Sequence, residues 1–66
     1  MRVHINDVMH ELNDGSCIPT ALETAGIKPE NVAVAVNFSV VPKDNWDSFT
    51  LNENDKVMII RATQGG

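Results

Sequence analysis

The chain is short of cysteine, of positive charge and of long apolar runs. Cys17 is its only cysteine, so no internal disulfide can form. That agrees with a reducing, cytoplasmic setting. Five basic residues, Arg2, Lys28, Lys43, Lys56 and Arg61, stand against nine acidic ones, and the net charge is −4. Scattered in this way, they make none of the basic stripes that track a nucleic-acid backbone. An acidic protein that docks on basic surfaces fits the balance better. No apolar stretch approaches the roughly 20 residues of a membrane span. The first residues carry Arg2, His4, Asn6 and Asp7 rather than the apolar run of a signal peptide. Linkers, repeats and low-complexity segments are also absent. At 66 residues there is one domain with a small core, and a chain of this size buries only about 60% of its unfolded surface. An enclosed substrate pocket is hard to build on that scale, which weighs against a self-contained enzyme.

What is present is alternation. Met1, Val3 and Ile5 face one way and Arg2 and His4 the other, the pattern of a half-buried strand. Asn6-Asp7 reads as a turn, from which Val8 to Leu12 returns as the second arm of a hairpin. Asn13-Asp14-Gly15-Ser16 breaks that strand. Ile18, Ala21, Leu22 and Ala25 then fall at the i, i+3, i+4, i+7 spacing of one helix face. Ser16 or Cys17 can cap this helix, Pro19 is tolerated in its first turn, and Gly26 supplies a left-handed stop. Val32-Ala33-Val34-Ala35-Val36 alternates large and small residues. Asn37-Phe38-Ser39 is a turn, and Val40-Val41 a short strand that Pro42 ends. Lys43 to Ser48 suits a single helical turn or a loop around Trp46, and Phe49 and Leu51 share one side of an extended piece. Asn52 to Asp55 is a turn before the most apolar segment, Val57-Met58-Ile59-Ile60.

A hairpin, one helix and further strands can bury only one sheet face, under that helix. The apolar final strand belongs at the centre of the sheet, parallel to the first. This predicts an α+β chain of the β-grasp, or ubiquitin-like, fold: a mixed sheet of four to five strands packed on one helix. The predicted core holds Val3, Ile5, Ile18, Leu22, Val34, Val57 and Ile59. The domain spans 1–62, and 63–66 form a flexible Gly-Gly tail. Glycine after a strand adds no packing and loses the most entropy when ordered. The pair Gly65-Gly66 therefore has two readings: a frayed terminus, or a tail thin enough to enter a channel closed to side chains. Four extended residues reach roughly 13 Å.

Ala35-Val36-Asn37, then Val40-Val41-Pro42-Lys43, then Trp46 resembles the signature of the ThiS family of sulfur carriers in thiamine biosynthesis. Asn6-Asp7, Gly15, Asp55 and the terminal Gly65-Gly66 fall at matching spacings, so the resemblance spans the chain. Two positions depart from it. Phe38 stands where a small or polar residue is usual, and a bulky aromatic is awkward where φ must be positive, which leaves the turn type open. Asn54 replaces a glycine, a mild change because Asn tolerates left-handed backbone.

The resemblance implies a carrier acted on by enzymes, not a catalyst. The Gly66 carboxylate would be adenylated with ATP by a ubiquitin-activating-like adenylyltransferase of the ThiF type. A persulfide donor such as a cysteine desulfurase would convert it to a thiocarboxylate, and a thiazole synthase of the ThiG type would accept the sulfur. Gly65 and Gln64 would govern access of the tail. No cofactor would be bound, since ATP belongs to the activating enzyme. The small subunit of molybdopterin synthase is a rival reading, as are a ubiquitin-like protein modifier and a plain interaction module.

The remaining residues are read individually. Cys17 can be a reactive thiol at a helix N-terminus or a buried or capping small residue. His4 and His10 point to opposite faces with no ligand partner at metal spacing, so no metal site is expected. Asp44 and Asp47 form a solvated rim around Trp46, and Gly15 is a lone loop glycine. Met58 and Ile60 lie on a sheet face that no element of the chain is left to cover. With Phe38 they are the expected docking surface for partners.

Overall fold

A computed structural model describes residues 1–61 of the chain. Strands β1 (Arg2–Ile5) and β2 (Val8–Glu11) are followed by helix α1 (Ile18–Thr24). Strands β3 (Val32–Val36) and β4 (Ser39–Val41) come next, then a 3-10 helix over Lys43–Ser48 and strand β5 (Lys56–Arg61). The sheet order is β2-β1-β5-β3-β4. β5 is therefore the central strand, parallel to β1 and antiparallel to β3. This is the expected mixed β-grasp sheet, with five strands. The boundary at residue 62 and the tail of 63–66 lie outside the described residues.

All seven core residues expected from the sequence are buried. The core also takes in Leu12, Ala21, Val36, Val41, Trp46 and Leu51. Trp46 is enclosed at the start of the connection to β5, where its indole Nε1 donates to Val41 O at 2.9 Å. A buried indole N–H needs such a partner. Phe49 to Leu51 is not a strand; Thr50 forms an isolated bridge with Cys17, and the Leu51 N–H donates to Ser16 O at 2.9 Å.

α1 runs seven residues, just under two turns, and buries Ile18, Ala21 and Leu22. Cys17 holds the N-cap position without a side-chain bond to the helix. Ser16, the better capping residue, instead donates its hydroxyl to Asn13 O at 2.6 Å. At the other end, Gly26 takes φ 72°. Its N–H donates to Glu23 O and that of Ile27 to Leu22 O, at 3.1 and 2.9 Å. This pair of bonds closes the last turn as a Schellman motif.

The two hairpins share a turn chemistry. Ile5 pairs with Val8 and Val36 with Ser39, so each hairpin turns on two residues. Asn6 and Asp7 have φ of 50° and 68°, Asn37 and Phe38 of 51° and 71°. Positive φ at both central residues is the type I′ requirement, the one whose twist matches flanking strands. The question at Phe38 is thereby answered: the aromatic adopts the left-handed region, at a cost of about 1–3 kcal/mol. Asn54, at 68°, does so with the tolerance expected of asparagine.

Each turn also reaches into β5 with its asparagine. Beyond Ile5 the chain leaves the parallel ladder, and Asn6 Oδ1 accepts the Ile59 N–H at 2.8 Å in place of a backbone carbonyl. Asn37 Oδ1 accepts the Lys56 N–H at 3.0 Å, while its Nδ2 donates to Asp55 Oδ1 at 3.0 Å. Asp55 is the buried charged residue, and its second oxygen accepts the Asn52 N–H at 2.8 Å. Among the described residues no buried side-chain nitrogen or oxygen lacks a partner.

Candidate functional site

The outer face of the sheet follows from the alternation of its central strand. Val57 and Ile59 of β5 are buried on the helix side, so Met58 and Ile60 point away from it. Their neighbours across the antiparallel ladder are Ala35 and Ala33. Residues directly opposite in such a pair share a face, and alanine is too small to shield a methionine or an isoleucine. Met58 is consequently 40% exposed and Ile60 59%.

The apolar surface continues on both sides. Val40 pairs with Ala35 and is exposed at the β4 edge. On the opposite flank Met9 pairs with the half-buried His4 and is also exposed. Met9 and Val40 were missed by the sequence reading. Finding them requires the pairing register, and the signal lay in the two-residue turns, which fix it. His10 pairs with Val3 and so stands on the helix side of the sheet, opposite His4. Val8 is exposed as well, but its partner is the buried Ile5, so it belongs to the β2 edge and not to this patch.

Phe38 projects from the β3–β4 turn at the rim of the same face, 78% exposed. The Lys56 ammonium lies 6.0 Å from its ring centroid, at the limit of a cation–π contact. Between Phe38 and Met58 runs a cleft of about 290 Å³, walled also by His4, Asp7 and Lys56. The structure thus brings Met58, Ile60 and Phe38 to one side of the molecule. A larger groove of about 580 Å³ lies elsewhere, where Leu22, Ile27 and Pro29 meet Trp46, with Lys28 and Lys43 at its edges.

Arg61 ends the described chain beside Val32, its partner at the start of β3. It lines a shallow groove with Gly26, Lys28, Glu30 and Asn31. Arg61 stands at the far end of β5 from the Phe38 turn. Gly66, Gly65 and Gln64 are outside the described residues. Cys17 is half-buried and its thiol faces Gly15 O at 3.9 Å. Among the described residues no three His, Cys, Asp or Glu side chains gather as metal ligands would, and no helix is long and apolar enough to cross a membrane. One carboxylate is electrostatically marked. Glu53 accepts the Arg2 N–H at 2.8 Å and the Arg2 guanidinium at 3.4 Å. The backbone bond foremost, then the guanidinium, holds its pKa below the ordinary 4.5. Asp44 and Asp47 are exposed around the 3-10 helix, as a solvated rim would be.

Residues 3–66 match the family model described as the ThiS family. Among curated proteins, the chain is 30% identical over 66 residues to a thiazole synthase from Magnetococcus marinus. That alignment covers all of this chain but only 20% of the synthase. The chain is also 23% identical over 66 residues to the sulfur carrier protein ThiS of Escherichia coli, and here the alignment covers both in full. Its fold is similar to a crystal structure of a thiamine biosynthesis protein, ThiS, from Geobacter metallireducens. The TM-score is 0.84 with complete coverage of both chains, at 20% identity.

Proposed function

The chain belongs to the ThiS family of sulfur carriers for thiamine biosynthesis, and from that premise we propose that its chemistry takes place at one atom group, the Gly66 carboxylate. A carboxylate oxygen is a poor leaving group, so the first step is activation. The carboxylate attacks the α-phosphate of ATP in the site of a ThiF-type adenylyltransferase, and pyrophosphate departs. The sulfur of a persulfide, held by a donor such as a cysteine desulfurase, then displaces AMP from the acyl carbon. A thiol opens the resulting sulfur–sulfur bond and leaves a thiocarboxylate. That nucleophilic sulfur passes to the thiazole ring in a ThiG-type thiazole synthase. ATP is consumed in the partner's site, and the carrier binds no cofactor of its own.

The carrier is a co-substrate, and its contribution is positioning. The outer face with Met58 and Ile60 docks, while Gln64, Gly65 and Gly66 enter the partner. The observation that carries this reading is a family match that runs through the glycine pair to residue 66. The low cysteine content supports a cytoplasmic setting for the thiol chemistry. The test is intact mass after incubation with ATP, the adenylyltransferase and a persulfide donor. A thiocarboxylate replaces one oxygen by sulfur on the C-terminal fragment. Sulfur on Cys17 with Gly66 unmodified would falsify the mechanism.

A further inference from the structure

We propose that the cleft between Phe38 and Met58 is a socket in which the thiazole synthase partner lodges an apolar side chain beside a carboxylate, and that Phe38 sets the strength of that hold. The inference rests on the carrier reading above. Phe38 is a poor residue for its own turn: its φ of 71° is one that glycine or asparagine adopts with less strain, and its ring is 78% exposed. It therefore serves neither the turn nor the core. Its ring instead lines the outer-face cleft, together with Met58 and Lys56 of β5 and with His4 on the neighbouring β1. A rigid aromatic held at a rim is the kind of residue that dominates binding energy at interfaces.

The charge around the cleft identifies what it accepts. Lys56 lies over the Phe38 ring, and among the described residues it makes no ion pair with a carboxylate. Asp7 is the acidic residue in the lining, against Lys56 and His4. A partner carboxylate next to the inserted side chain would complete the Lys56 ammonium while the aromatic face desolvates it. A second copy of this chain fits badly. Pairing the faces would bring Lys56 near Lys56 and join two bodies of charge −4. The thiazole synthase is the favoured occupant because one such enzyme contains a segment that aligns with this chain from end to end.

The experiment compares wild type, Phe38→Gly and Lys56→Glu in the full chain. Titration calorimetry against thiazole synthase is read beside the thermal midpoint and the yield of thiocarboxylate. Phe38→Gly is expected to melt higher than wild type, through relief of the turn, yet to bind at least about tenfold more weakly, as when an aromatic anchor is removed. Lys56→Glu is expected to weaken binding by a comparable factor and to reduce its sensitivity to salt. Unchanged affinity of Phe38→Gly overturns the proposal. So does a wild-type chain that dimerises through this face, or one whose Phe38→Gly variant loses adenylation and not synthase binding. Failure of the carrier reading shows separately, as wild-type protein that binds the synthase but never acquires sulfur.

Discussion

Asn37 holds the Asp55 carboxylate at 3.0 Å and the Lys56 N–H at 3.0 Å with the two ends of one amide. A turn residue between β3 and β4 thereby fixes where β5 begins, and so the register that points Val57 inward and Met58 outward. Asn37→Gly keeps the left-handed backbone and removes only the amide. It leaves the buried Asp55 short of a donor, which costs about 1–3 kcal/mol. Urea unfolding of the two proteins measures the difference, and equal midpoints would refute the bracing role.

Leu22 is one of the three α1 residues that enter the core. It is buried, and α1 is too short to hold itself together in water. Leu22→Ala is expected to cost about 2–5 kcal/mol by chemical denaturation. A loss well under that range would mean the helix packs loosely.

Met58→Asp places a charge on the outer face without touching the core. The variant should fold with an unaltered circular dichroism spectrum and bind both the adenylyltransferase and thiazole synthase more weakly. Calorimetric affinities equal to wild type for both would remove this face from the interface.

If the tail enters a partner's site as proposed, Gly65→Ala adds a Cβ to it and should slow adenylation while the domain melts as before. One residue added after Gly66 should abolish adenylation by carrying the carboxylate past the reaction site. Cys17→Ser should transfer sulfur normally. Pyrophosphate release and intact mass follow all three variants, and a normal rate for the extended chain would exclude Gly66 as the acceptor.

Glu53 gives the fold a pH-dependent element. Its folded pKa lies below the ordinary 4.5, mainly through the Arg2 N–H. Its contribution is therefore complete above the unfolded value and lost as pH falls through the folded one. Glu53→Gln should be less stable than wild type at pH 7, and the two should converge in acid. Parallel urea midpoints from pH 7 to pH 3 would show that the contact contributes nothing.

Alternation, helical spacing and the apolar character of the last strand were enough to place the strands, the helix, the parallel pairing of the first and last strands and the exposed side of Met58 and Ile60. Those features depend on side-chain period, which a sequence displays directly. The roles of Asn6 and Asn37 were not legible. Both read as turn residues, which they are, but their amides act on β5, 53 and 19 residues away along the chain. Trp46 read as the centre of a polar helical turn or loop, the first of which the 3-10 helix is, but only the folded chain brings Val41 O to its indole. Phe38 looked out of place for its turn, and the fold keeps it there at a φ of 71° with its ring exposed, a combination that local propensity does not register.

β5 is at once the central strand and the last element described in the chain. Consider a pull applied to Arg61 along the axis of β5. It would have to shear the ladders with β1 and β3 together, along with the Asn6 amide, instead of peeling an edge strand one bond at a time. On the proposed carrier mechanism, handing an activated terminus from one enzyme to another would be a mechanical event as well as a chemical one. The strand attached to that terminus is the one the sheet grips from both sides.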